Sequence, residues 1–222
     1  MDIIEGILSR KSIRGFKSDP VPKDLLRKVL EVATRSPSAE NGQPWEITVI
    51  TGTILEQIKR RNVEKLEARE PFDPDVSMHI HAGIYKQRHM ALAAELYGLM
   101  GISREDREKR AAWVKRGFRF YDAPAAIVIA ADRSLDEAPA QFDIGCLTQT
   151  ICLAALGYGL GTCIAGQGVL YPEVVREFAH IPPSKRLVIS IAIGYPDPDF
   201  PANKLASKRE PIDNITTWLG FD

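Results

Sequence analysis

The sequence predicts an α+β fold in which a small central sheet is covered by helices. Three observations carry this. Apolar residues recur at helical spacing in several stretches, two short segments read as strands buried on both faces, and two long helices intervene before the second strand. That order lacks the regular strand–helix alternation of a parallel α/β sheet.

Asp2, with Glu5 three residues on, makes an N-terminal capping pair, and Ile3, Ile4, Ile7 and Leu8 follow at helical spacing, so a short first helix should end near Arg10. Leu25, Leu26, Val29, Leu30 and Ala33 repeat the pattern between Pro22, which suits a helix start, and Pro37, which stops one. Trp45, Ile47 and Val49 alternate with Glu46 and Thr48 as one face of a strand. Helices are expected over 54–68 and 86–100, the second burying Met90, Leu92, Ala93, Leu96 and Leu99. Between Arg104 and Arg119 stand seven basic and three acidic residues, which read as a solvated helix face rather than an anion patch. After Pro124, "AAIVIAA" is a fully buried strand, and "LVISIAIG" over 187–194 is another.

No charged residue occurs between Asp143 and Glu173, yet the apolar part, 144–156, is cut off by Gly157, Gly159 and Gly161. It is too short for the ~20 residues of a membrane span and reads as a buried helix, a turn and a strand. From Tyr195 onward, four prolines (Pro196, Pro198, Pro201, Pro211) prevent a core of its own, while Leu205, Ile212, Ile215, Trp218, Leu219 and Phe221 are too apolar for water. The chain is therefore expected to form one domain over 1–194 and an arm over 195–222, packed either on its own subunit or around a partner.

Composition narrows function. With 45% hydrophobic and 26% charged residues in 222, disordered, collagenous and disulfide-scaffold classes drop out. Surface scaling gives a folded area of about 10,000 Å², enough for a sizeable core. Lys and Arg balance Asp and Glu at 29 each, which argues against a globally basic nucleic-acid or membrane-surface binder, so any anion site must be local. Cys146, Cys152 and Cys163 are odd in number and lack CxxC spacing, and the N-terminus has no apolar signal core. Both features lead us to expect a cytoplasmic protein with reduced thiols.

Familiar catalytic patterns are mostly missing. No HExxH occurs, and His79, His81 and His89 lack helical pairing or cysteine partners, so no metal site is expected. Gly161 and Gly166 have P-loop spacing, but Gln167 stands where the lysine belongs; Gly157, Gly159 and Gly161 follow a helix, where a dinucleotide fingerprint follows a strand. Two polar clusters stand out instead. "SRKSIRGF" concentrates Ser9, Arg10, Lys11, Ser12 and Arg14, cations and hydroxyls suited to phosphate oxygens. "SPSAENGQPW" places Ser38, Asn41 and Gln43 beside Trp45 in a turn-forming loop able to hold a polar ligand.

Taken together, "RKSIRGF" and "PSAENGQPW", at this separation, resemble the N-terminal signature of the nitroreductase family of FMN-dependent oxidoreductases. Matches continue through "FYDAPAAIVIA", "LAALGYGLGTCIAGQG", "VISIAIGYP" and "KREP", covering nearly the whole chain. The resemblance implies a mainly antiparallel sheet, a homodimer with FMN at the seam, and hydride transfer from NADH or NADPH through flavin N5 to nitroaromatic, quinone or similar acceptors. It implies that Arg10 and Ser12, helped by Lys11, Arg209 and Lys208, hold the phosphate and ribityl end, and that Arg14 faces the N1 and O2 side of the ring. Pro37, Ser38, Ala39 and Asn41 would come from the other subunit, with Ala165, Gly166 and Gln167 along the N5 and O4 edge. Tyr85, Arg88, Arg116 and Arg119 are candidates for substrate contact, with surface placement the alternative. Related chemistries on the same fold are reductive dehalogenation and flavin fragmentation, and a non-redox FMN carrier is a further alternative. Two departures stand out: Ala39 replaces a serine of many members, and Ser207 a lysine of some.

Overall fold

The computed structural model describes residues 2–77 and 82–221. His79 and His81, weighed above as metal ligands, lie outside the described residues. Among the described residues seven helices and four strands follow in the order α1 (Ile3–Ser9), α2 (Lys23–Ala33), β1 (Trp45–Thr51), α3 (Gly52–Glu67), α4 (Gly83–Leu99), α5 (Arg107–Phe118), β2 (Ala125–Asp132), α6 (Glu137–Gly157), β3 (Gly161–Ile164), α7 (Pro172–Ala179) and β4 (Lys185–Gly194). The strands form one antiparallel sheet in the order β1-β2-β4-β3, with β2 and β4 central.

The expectation that β2 is buried on both faces holds, and it explains the layering. Ala126, Val128 and Ala130 face one way, toward Leu55 and Ile58 of α3, Phe118 of α5 and Val174 of α7. Ala125, Ile127, Ile129 and Ala131 face the other way, toward Leu26 and Val29 of α2 and Ile144, Leu147 and Ile151 of α6. Helices thus cover both sides of a thin sheet, each fully buried Ile or Leu contributing about 1.5–3 kcal/mol of transfer free energy. The sequence places the end of α2 well. Its last turn is closed by the Ser36 hydroxyl, which donates to the Ala33 carbonyl at 2.7 Å, just before Pro37.

Two helices keep their apolar faces in solvent. In α1 the cap forms as expected, Asp2 accepting from the Ile4 N–H at 2.6 Å, but Ile3, Ile4 and Leu8 are 60–80% exposed. In α4 the expected buried stripe is absent: Met90 is exposed and Leu92, Ala93, Leu96 and Leu99 are only half-buried. The helical period is right in both cases, but no described residue covers those faces fully. The arm divides in the same way. Its first part is anchored, with Pro196 bridging to Phe16, the Lys17 N–H donating to the Tyr195 carbonyl at 2.9 Å, and Ala202, Asn203 and Leu205 buried. Its last part leaves Ile212, Ile215, Trp218, Leu219 and Phe221 exposed.

Candidate functional site

Two groups far apart in sequence meet on edge strand β3. Ser12 pairs with Thr162 in a parallel bridge, and the Ile13 N–H donates to the Thr162 carbonyl at 2.9 Å, laying the Arg10–Gly15 segment along that edge. Ala165, Gly166 and Gln167 follow directly from the end of the same strand. This turn is tied to β4: the Ala165 N–H donates to the Ser190 carbonyl at 2.7 Å, and the Ser190 hydroxyl donates back to the Ala165 carbonyl. A side chain at Gly166 would meet only Ile189 Cδ1, at 4.0 Å, so the backbone there is open to the approach of a flat group. Gln167 behaves differently, because its side chain packs over Gly117 of α5.

The Arg14 guanidinium interacts with the Tyr121 phenol, and both Arg14 and the Ser12 hydroxyl act on the Cys163 thiol. Burial pushes Tyr121 up to about 12 and raises Cys163 as well, so both stay neutral at physiological pH and leave the Arg14 charge uncancelled. Among the described residues no carboxylate forms an ion pair with Arg10, Lys11, Arg14, Lys208 or Arg209. Of these, Arg14 lies beside the end of β3, and an uncancelled cation next to an open backbone fits an anionic, planar ligand such as a flavin mononucleotide.

The second loop lies elsewhere, between the end of α2 and α6. Pro37, Ala39 and Asn41 are exposed and Ser38 is half-buried. The Ala39 N–H donates to both carboxylate oxygens of Asp143, at 3.2 and 3.3 Å, and the Gln43 N–H donates to Ser38 Oγ at 3.0 Å. Those bonds hold Glu40, Asn41 and Gln43 at φ of 52°, 58° and 46°, a left-handed conformation that non-glycine residues adopt at a cost.

Lys208 and Arg209 lie with α4, forming with Tyr85, Arg88, His89 and Leu92 part of the lining of a groove of about 710 Å³. Arg88 is paired there with Glu210 at 2.7 Å, and its guanidinium stands 6.0 Å from the Tyr85 ring centroid. The structure thus joins two residues assigned to substrate and two assigned to phosphate. Arg119 does not join them, being held twice by Asp122, at 2.6 and 3.2 Å. Arg116 turns inward to donate to the Arg14 and Tyr121 carbonyls, both at 3.2 Å. No hydrogen bond or ion pair among the described residues links 10–14, 37–41 and 208–209 to one another.

Sequence reasoning missed Asn203, Tyr121, Thr162 and Asp143. Asn203 alone carried a signal, an amide side chain inside the turn-forming "DFPANKL". The others become visible only when the chain is folded. Among the described residues no group of three His, Cys, Asp or Glu could hold a metal, and no helix is long and apolar enough to cross a membrane.

The model of the nitroreductase family matches residues 7–195. Among relatives, a chloronitrobenzene nitroreductase of Comamonas testosteroni is 33% identical over 217 residues, covering 96% of this chain and 95% of its own. A nitrobenzene nitroreductase of Ectopseudomonas oleovorans is 32% identical with the same coverage. Among solved structures, the FMN and NADPH-dependent nitroreductase NfnB of Sphigopyxis sp. strain HMH superposes with a TM-score of 0.95 at 28% identity, over 100% of both chains. The FMN-dependent NfnB of Mycobacterium smegmatis, solved in complex with NADPH, gives 0.90 at 26% identity, over 97% of this chain and 96% of that one. The chain belongs to the nitroreductase family.

Proposed function

We propose that this chain is an NAD(P)H-dependent flavin oxidoreductase that binds FMN and reduces nitroaromatic compounds, with quinones and similar electron-poor molecules as further acceptors. Its working form is a cytoplasmic homodimer in which each site draws on both copies. The observation that carries the reading is the placing of Arg14 and the open Gly166 backbone beside one edge strand, with Tyr121 kept neutral beside the guanidinium.

When bound, FMN supplies the redox chemistry, taking hydride from the nicotinamide and passing electrons on to the acceptor. The chain's own residues bind and bias it. Arg10 and Ser12, with Lys11 and with Arg209 and Lys208 of the arm, neutralise a phosphate carrying about −1.5 to −2 charge. Arg14 sets a fixed positive charge on the side of the ring where reduction adds negative charge, which raises the tendency to accept hydride. The backbone at Ala165, Gly166 and Gln167 borders the opposite edge without a side chain in the way. Pro37, Ser38, Ala39 and Asn41 reach the same ligand from the second copy, which accounts for a strained, largely exposed loop held at Ala39 by Asp143 and at Ser38 by Gln43. Tyr85 and Arg88 line the approach for the acceptor.

The exposed surface supports the second copy. The chain alone exposes 13476 Å², where a folded monomer of this size should expose about 10,000 Å². Ile3, Ile4 and Leu8 of α1, Met90 of α4 and Trp218, Leu219 and Phe221 of the arm are among its exposed apolar side chains.

The test is an absorbance spectrum of the purified protein, then anaerobic stopped-flow reduction with NADH and with NADPH, then a panel of nitroaromatics, quinones and halogenated phenols. A yellow protein bleached by nicotinamide and recoloured by a nitroaromatic is expected. A protein that binds FMN but is bleached by neither nicotinamide would be a cofactor carrier, and one that takes up no FMN would contradict the reading altogether.

A further inference from the structure

Asn203 stands out among the buried polar residues, for its carboxamide uses all of its hydrogen-bonding capacity on backbone groups. Oδ1 accepts from the Arg14 N–H at 2.7 Å and from the Gly15 N–H at 3.1 Å, while Nδ2 donates to the Gly15 carbonyl at 2.7 Å and the Asp197 carbonyl at 2.8 Å. The residue is 5% exposed. Three of its four partners belong to the Arg14–Gly15 pair, 188 or 189 positions earlier in the chain. The other end of Arg14 is held by Arg116, whose Nη2 donates to the Arg14 carbonyl at 3.2 Å. Between them lies Phe200: its ring leaves no room for a side chain on Gly15, whose Cβ would stand 2.0 Å from Phe200 Cγ, and the Arg116 guanidinium sits 4.8 Å from its centroid. The peptide of Arg14 is therefore fixed on its amide and carbonyl sides, while its guanidinium has no carboxylate to fix it.

We infer that Asn203 and Arg116 are positioning residues for Arg14, resting on the FMN-binding reading above. A guanidinium sits at the end of a long flexible stem, so a small shift of the backbone carries over to the charge, and a misplacement near 1 Å is costly where position determines the interaction. The turn that presents Asn203 is the start of the arm. Its own backbone is closed by the Asn203 N–H donating to the Phe200 carbonyl at 2.9 Å. The anchored half of the arm thus sets the geometry of a segment at the opposite end of the sequence.

The experiment is a double-mutant cycle on the full-length protein with Asn203→Ala, Arg14→Ala and the pair, reading FMN dissociation constant, flavin midpoint potential and melting temperature. Asn203→Ala should weaken FMN binding by about tenfold and lower the potential, a loss matching one or two hydrogen bonds. In the Arg14→Ala background it should leave affinity and potential unchanged within about twofold while still lowering the melting temperature, because a residue acting through Arg14 has nothing left to position. Equal effects in both backgrounds, or an unchanged affinity and potential when Arg14 is present, would overturn the inference. Should Asn203→Ala not fold, Arg116→Gln takes its place in the same cycle with the same expected pattern. Failure of the unsubstituted chain to take up FMN would overturn both this and the function proposed above.

Discussion

Gly168 and Phe120 approach so closely that no side chain fits between them: a Cβ on Gly168 would stand 2.3 Å from Phe120 Cε1, and 2.5 Å from Ser190 Oγ. Phe120 is fully buried and held at φ 53°, so it cannot easily yield. This contact sets the turn that follows β3 against the core. Gly168→Ala should therefore cost about 1–3 kcal/mol by overpacking and loosen the 165–167 turn. Urea unfolding together with FMN titration checks this. A variant of unchanged stability would show that the turn is not anchored there.

Burial raises Tyr121 from 10.0 to about 12, so the folded state holds its proton over a range in which the unfolded chain loses it. The stability associated with the neutral phenol is complete below pH 10 and is lost as pH rises from 10 toward 12, by up to about 2–3 kcal/mol. Denaturation across that range should show a steeper decline in the wild type than in Tyr121→Phe. Parallel curves would count against a buried, neutral phenol beside Arg14.

At the acid end the group to follow is Asp75. Burial opposes its ionisation, but the Leu187 N–H at 2.7 Å, with Arg176 and Arg133, outweighs that and holds the carboxyl below its ordinary value. A depressed carboxylate stabilises the fold above the unfolded value near 4, and the effect fades as pH falls through the folded one. Asp75→Asn should cost about 2–4 kcal/mol at pH 7, since Arg176 is then left largely buried without its acid, and the cost should shrink at pH 3. Chemical denaturation at the two pH values decides the matter.

Trp218 and Phe221 pack edge to face at 5.6 Å, and both lie more than 60% exposed. Such a pair at the end of a proline-rich arm needs a surface to cover it. Removing residues 212–222 should weaken self-association at least tenfold and FMN binding with it, as read by sedimentation velocity and flavin titration. A truncated chain that remains a dimer of full affinity would place the interface elsewhere.

The sequence was most informative where an element completes its own core. The spacing in α2 and the uninterrupted apolar run of β2 translate directly into buried positions such as Leu26, Val29 and Ile127. It was misleading for α4, where Met90 and Leu96 repeat correctly but Met90 is exposed and Leu96 only half-buried. Hydrophobic period reports that a face seeks cover, not what supplies it. Within the site, Arg14 stood out by residue type and Gly166 through the family resemblance, whereas Asn203 and Thr162 matter only through partners about 150 or more positions away, a relationship set by topology and invisible to local pattern. Nor could the left-handed Phe120, Tyr121 and Asp122, which bring the phenol to Arg14, be read from residues that ordinarily avoid that conformation.

A ligand site assembled from two copies of the chain is tested most directly with mixed dimers. One variant loses Arg10 and Arg14 to alanine; the other has 38–41 replaced by glycines; each alone should bind no FMN. Unfolded together and refolded in equal amounts, half of the dimers carry one variant of each kind, and each of those keeps one intact site, so FMN capacity should return to about a quarter of the wild-type value. A mixture that stays as empty as its two components would contradict a shared site.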